Sequence, residues 1–363
     1  MVRELPTDAI GLLVLRGGLL TGADLSSVGI GRNGRRTLQQ RGLLVSLARG
    51  VYSASVLVRE LDEWTRFALR SVAFTMAAPE DAVAAGRSSI ALQDLPHLGR
   101  PPTVPSVIRG ACPPRGSDTS PCGHSRFVSL DPGWVVRVGD VPVLHPAVTV
   151  IDVGRRSGRL STLIAADAVA RMPGGRESMR VALDAMRRWP GTGRARWSVA
   201  HADADCESPL ETVGRYAVLR AGLPVPMSNV WLGIDRPRYR VDHYWAEQRL
   251  ALEGDGVHKY RMNGAGGEDD ALLVEKDREF ELHGWGVRTE RYTWRRALFE
   301  PSAVAERCAA ALRSPVLPAD PGLQWWSAKE GYRLRGMPVP RGQLSAGPGW
   351  QAQVDAALRE VFG

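Results

Sequence analysis

The chain has 363 residues, a formal net charge of +8 and a pI near 9.7, with 44% hydrophobic and 24% charged residues. This is the balance of a globular protein long enough for two or three domains. It contains no run of about 18 apolar residues, so neither a membrane-spanning helix nor a membrane partner is expected. The opening MVRELPTDAIG lacks a basic-then-apolar leader pattern, so a cytoplasmic location is expected. The basic balance favours an anionic partner, nucleic acid first. Lys259, Lys276 and Lys329 are the only lysines among 47 basic residues. Such an Arg-, Ala- and Gly-rich composition accompanies a GC-rich genome, so the placement of the arginines says more than their total.

Residues 1–55 read as three short helices and two strands. TDAIGLLVLRGG forms the first helix, TGADLSS the second with Thr21 as its cap, and IGRNGRRTLQQRG the third, stopped at Gly42. LLVSLARGVYS gives two strands around a turn. At 100° per residue, Ile30, Gly34 and Leu38 share one side of the third helix, and Arg32, Arg35, Arg36 and Gln39 the other. Five arginines (Arg32, Arg35, Arg36, Arg41, Arg49) and no acid lie between positions 32 and 49. An arginine face of this kind suits phosphate and base contacts, and three helices with a β-wing form a winged helix-turn-helix outline. The string LLTGADLSSVGIGRNGRRTLQQRGLLVSLARGVYS resembles the N-terminal winged helix of AbiEi-type antitoxins. That resemblance implies operator-DNA binding, with Arg32, Arg35 and Arg36 where the recognition helix would be; Gln39, Arg41 and Arg49 join them as expected DNA contacts on the helix angle and the charge run.

Residues 56–200 read as a middle α/β segment that resembles the same antitoxin-like proteins. It holds an amphipathic helix in LDEWTRFALRSVAFTMAA, a hairpin turning at Gly139-Asp140, and helices in LSTLIAADAVARM and ESMRVALDAMRRW. Cys112, Cys122 and His124 are too loosely spaced for an ordinary zinc site, and a Pro/Gly-rich loop is the plainer reading. His145, before Pro146, is expected to be structural. WPGTGRARW breaks the chain ahead of the next domain.

Residues 201–313 carry the chemistry. ESPLETVGRYAVLRAGLP reads as a helix with Ser208 as N-cap, Pro209 next, Glu211 at the third position and Gly222 as its stop. YRVDHYW and RLALEGD read as two strands. Alternation places Asp242 on the face opposite Val241 and His243, and puts Glu253 and Asp255 together on one face of the second strand. If the two strands pair, Asp242 and Glu253 meet on one side of the sheet, and paired carboxylates suit a hard cation such as Mg²⁺ or Mn²⁺. A helix stopped at Gly284 and a further strand follow. The order is a helix with Glu211, a strand with Asp242, a strand with Glu-x-Asp-Gly-x-x-His, a helix with Asp277-Arg278, and a strand. It resembles the PD-(D/E)xK, or restriction-endonuclease-like, superfamily near its very-short-patch-repair branch. That resemblance implies a metal-dependent endonuclease acting on DNA. Asp242 and Glu253 would be its metal ligands and Glu211 its helix acid. Asp255 stands where the superfamily has lysine, and His258 (or Lys259) is the substitute. Two plainer readings stand beside it: Glu211 as an ordinary capping residue, and the whole as an antitoxin-like regulator with an inactive nuclease fold and a toxin partner. Residues 314–363 read as a Pro-rich tail with Trp325-Trp326 and a final helix, WQAQVDAALREVF. The expectation is therefore an α/β multi-domain protein: a winged helix, a middle α/β segment, and a mixed sheet flanked by helices.

Overall fold

The structure is a computed structural model and describes residues 5–110, 116–255, 268–327 and 349–362. The class is mixed α/β, with three separate sheets. The chain divides into two compact units: residues 1–157, 177–196 and 344–363, and residues 158–176 and 197–343. No helix among the described residues is long and apolar enough to cross a membrane.

The first unit opens with α1 (Thr7–Leu15), β1 (Leu20–Thr21), α2 (Gly22–Ser27), α3 (Arg32–Gln40), β2 (Leu44–Ala48) and β3 (Val51–Ala54). Thr21 caps α2 in a reciprocal box: its hydroxyl accepts from the Asp24 amide at 3.1 Å, and its own amide donates to the Asp24 carboxylate at 2.8 Å. Gly42 adopts φ +69° after α3, the left-handed turn that glycine supplies at a helix end. The three strands form one antiparallel sheet in the order β1-β3-β2. Next come α4 (Ser55–Glu60), α5 (Glu63–Ala77), β4 (Val83–Ala84), α6 (Gly86–Leu92), β5 (Ser106–Arg109), β6 (Gly116–Ser120), β7 (Gly123–Phe127), β8 (Val135–Val138), β9 (Val141–Leu144) and α7 (Pro146–Gly154). A six-stranded sheet runs β6-β7-β5-β4-β9-β8. His145 is the N-cap of α7, its Nδ1 accepting from the Ala147 amide at 3.3 Å.

The second unit holds α8 (Arg159–Ala170). After α9 (Gly175–Ala185) and α10 (Thr192–Ala200) it continues with α11 (Pro209–Arg220), β10 (Met227–Gly233), β11 (Tyr239–Trp245), β12 (Leu250–Asp255), α12 (Glu268–Gly284), β13 (Arg288–Thr293), α13 (Trp294–Phe299), α14 (Pro301–Arg313) and β14 (Gln324–Trp326). Its sheet runs β13-β12-β11-β10-β14, with β12 and β13 parallel and the other pairs antiparallel. Two of these strands are not in the sequence reading. β10 precedes the acidic strands, and the supposed tail returns Trp325 and Trp326 to pair with it as β14. α12 runs through Gly284, and the turn into β13 is made by Gly286 at φ +80°.

α11 lies close on this sheet. A side chain at Gly214 would sit 2.1 Å from the Tyr292 ring, and Tyr292 donates to the Leu210 carbonyl at 3.0 Å. Beneath it, Arg215 on α11 forks onto both Asp167 oxygens on α8 at 2.8 Å, and Thr212 donates to the same carboxylate at 2.8 Å. Both ends of this pair are buried, so removing one would strand the other's charge.

The last helix, α15 (Trp350–Phe362), belongs to the first unit. Val354, Ala357 and Leu358 are buried in one core with Leu13, Leu57 and Leu69.

Candidate functional site

The acids of β11 and β12 come together as alternation and pairing require. His243–Leu252 is the last pair of this antiparallel register, and continuing it by one residue would set Asp242 opposite Glu253. Side chains at opposed positions share a face. The Gly254 amide donates to Asp242 Oδ2 at 2.8 Å and fixes that carboxylate against β12. On the other flank, β10 pairs Ser228 with His243 and Val230 with Val241, which brings Asn229 level with Asp242. One row across three strands therefore holds Asn229, Asp242 and Glu253.

Asn229 is the member of this row that sequence reasoning missed. It holds φ +52° in mid-strand, a conformation uncommon for a residue with a side chain and concentrated at functional sites. Its Nδ2 donates to the Asp205 carbonyl at 2.5 Å and to Glu211 Oε2 at 2.7 Å. Its Oδ1 is buried with no hydrogen-bond partner among the described residues. The advance sign was slight, an Asn beside Ser228 at the head of the apolar run Val230–Leu232.

Glu211 sits at the third position of α11, where its helix start predicts it. Oε1 accepts from the Ser208 hydroxyl at 2.8 Å, and Oε2 from the Glu207 amide at 2.8 Å as well as from Asn229. The Ser208 hydroxyl in turn accepts from the Glu211 amide at 3.2 Å. The capping role is thus realised, and both oxygens are engaged. Burial, and then the nearby Asp242 charge, push the Glu211 carboxyl up to about 7. His243 lies fully buried behind the row. Its Nε2 donates to the Glu211 carbonyl at 2.9 Å, and burial brings its pKa down to about 4.

Glu253 is held by an arginine. Arg278 on α12 donates from Nη2 to Oε1 at 2.6 Å and from Nη1 to Oε2 at 2.9 Å. The same guanidinium reaches Glu275 at 3.0 Å and the Arg240 carbonyl at 3.0 Å. Burial lifts the Glu253 carboxyl above its ordinary range in spite of this partner, and Asp242 adds to the rise. Asp255 pairs with Arg291 at 3.2 Å, and Arg291 also contacts Glu275 and Glu279.

The donor set is chemically suited to a hard divalent cation, being carboxylate oxygen throughout. Its arrangement is not. Arg278 takes both oxygens of Glu253, and the cap takes both oxygens of Glu211. Among the described residues, no group of three or more His, Cys, Asp or Glu side chains is placed to hold a metal ion. His258 and Lys259 lie outside the described residues, as does Cys112. Asp277 is exposed on α12. Cys122 is a free thiol, and the His124 ring bonds the Thr119 hydroxyl at 2.8 Å.

Leu38 of α3 and Ile30 just before it are buried, and Arg32, Arg36 and Gln39 are exposed, as are Arg41 and Arg49 beyond the helix. The expected outward course of Arg35 is corrected. It is half-buried, and its Nη1 donates to the Gly22 carbonyl at 2.7 Å and to the Ser26 hydroxyl at 3.2 Å. The angle around one helix cannot register that α2 crosses beside it.

No protein-family model matches the chain, and no curated protein matches it. Among solved structures, the crystal structure of RV2827C protein from Mycobacterium tuberculosis is similar over 55% of this chain and 78% of that one, with a TM-score of 0.36 and 15% identity. A likeness of that size carries no argument about fold or function.

Proposed function

We propose that the chain is a DNA-binding protein whose second unit is a restriction-endonuclease-like nuclease, hydrolysing DNA phosphodiesters with Mg²⁺ or Mn²⁺. The observation that carries this reading is the register position of Asp242 opposite Glu253, with Glu211 on the adjoining helix. The element order around them (helix, three strands, helix, strand) is in keeping with the superfamily that the sequence resembles. The exposed Arg32, Arg36 and Gln39 of α3, beside a two-stranded wing, support reading the first 55 residues as a winged helix that docks on duplex DNA. Because Arg278 occupies Glu253, no step through a cation is assigned to the arrangement described.

One observation favours a second reading. The hold of Arg278 on both oxygens of Glu253 also suits a nuclease fold kept only for binding, in an antitoxin-like regulator with a toxin partner. A cleavage assay separates the two. Duplex, nicked, mismatched and single-stranded DNA, and RNA, are incubated with Mg²⁺, Mn²⁺ or EDTA. The nuclease reading expects divalent-dependent cutting that Asp242→Asn abolishes while duplex binding persists. Cutting of RNA alone would correct the substrate class, and no cutting of any substrate leaves the regulator.

A further inference from the structure

We infer that Arg278 is an internal counter-cation that holds Glu253 closed in the free protein, and that a nucleic-acid phosphate draws it away. The inference rests on the nuclease reading of this sheet face and deepens it. It starts from the misfit between the acids and a metal. Two carboxylates set opposite one another on paired strands need a positive charge between or beside them. Here the Arg278 guanidinium supplies it, through two parallel hydrogen bonds of 2.6 and 2.9 Å in the fork geometry that arginine makes with carboxylates.

The neighbouring charges make this contact separable. Glu275 is shared by Arg278 and Arg291, and Asp255 and Glu279 also pair with Arg291. If Arg278 swings off, those three acids keep a partner. Glu253, among the described residues, has Arg278 as its single ion-pair partner. Departure of the guanidinium therefore frees one carboxylate in particular, the one opposite Asp242. The Arg278 side chain retains 17% of its exposure and Glu253 11%, so the pair is not fully enclosed. A phosphodiester offers the same pair of anionic oxygens as a carboxylate and competes for the same fork. A bound phosphate would then uncover Glu253, and the free protein would be spared an unpaired buried carboxylate.

The test is calorimetric titration of full-length protein with MnCl₂, in wild type, Arg278→Gln and Arg278→Gln/Glu253→Gln. Arg278→Gln is expected to bind Mn²⁺ at least tenfold more tightly than wild type, and the double variant to lose that gain. Equal affinity in wild type and Arg278→Gln overturns the inference, as does a gain that survives in the double variant. Should Arg278→Gln not fold, Arg278→Lys serves, since a single ammonium cannot cover both oxygens: any gain over wild type supports the inference, and none overturns it. The hand-over to phosphate has its own readout. The salt dependence of duplex affinity should lose about one unit of slope in Arg278→Gln, as for one phosphate contact, and an unchanged slope overturns that part. These readings are independent of cleavage. A gain of Mn²⁺ affinity in a protein that cuts nothing keeps the latch and removes the nuclease; Mg²⁺-dependent cutting with no gain keeps the nuclease and removes the latch.

Discussion

Asn229 donates to Glu211 across 2.7 Å from a left-handed backbone in the middle of β10. Two effects are combined at this residue, and substitution separates them. Asn229→Ala loses the hydrogen bond to Glu211 and keeps a β-carbon in a left-handed backbone that alanine tolerates less well than asparagine, so it should lower stability by about 2 kcal/mol. Asn229→Gly loses the same bond but relieves the backbone, and should cost about 1 kcal/mol less than alanine. Urea unfolding of the two variants measures this; equal losses would mean that the backbone stores no strain.

Glu211 and His243 pull stability in opposite directions with pH. His243 titrates near its ordinary 6.5 when unfolded and about 4 when folded. Between those values the unfolded chain binds the extra proton, so this group's contribution to stability rises with pH. Glu211 titrates near 4.5 when unfolded and about 7 when folded. Between those values the folded chain binds the extra proton, so its contribution falls as pH rises. From pH 4.5 to 6.5 the two offset one another. Glu211→Gln should expose the rising slope, and His243→Gln should expose the falling one. Glutamine can keep the cap, because its amide can donate to the Ser208 hydroxyl while its oxygen accepts from the Glu207 amide. Chemical denaturation across this range tests both slopes, and parallel profiles in the two variants would refute the assignment.

The arginines of α3 should divide into two kinds. Arg32→Ala with Arg36→Ala is expected to weaken duplex binding several-fold and to flatten its salt dependence, with the melting temperature unchanged. Arg35→Ala is expected to lower stability by about 1 kcal/mol through its lost bonds to Gly22 and Ser26. Fluorescence anisotropy and thermal melting read the two effects separately.

α15 should be indispensable to the first unit. Val354→Ala and Leu358→Ala empty volume from a core shared with Leu13, Leu57 and Leu69. The leucine change should cost about 2–4 kcal/mol and the valine change somewhat less. Deleting α15 should abolish duplex binding through unfolding. Native-like binding by a protein lacking it would show that the three helices and wing stand alone.

The parts legible in sequence were those fixed by short-range chemistry. Ser208, Pro209 and Gly222 bounded α11, Thr21 and Gly42 marked helix ends, and period-two alternation set Asp242 and Glu253 on their faces. β10 escaped because its regularity is broken at Asn229, whose conformation only the neighbouring helix and strand explain. β14 is three residues long and means nothing without its partner. The partners of Glu253 and Arg35 lie 25 and 13 residues away, and no periodicity links such positions. The expectation of a metal pair followed from acids that do converge, but an arginine from another element stands on one of them.

The placement of α15 has a consequence for synthesis. The helix bearing Arg32 and Arg36 leaves the ribosome early, yet the core that steadies its unit is sealed by residues made near the end of the chain. A nascent chain, or one cut short by a premature stop, carries the arginine face without the helix that closes the hydrophobic interior behind it. On the DNA-binding reading proposed above, occupancy of DNA would then wait until the acid-bearing unit has also been translated. An incomplete product would lack Val354, Ala357 and Leu358, which pack in one core with Leu13, Leu57 and Leu69.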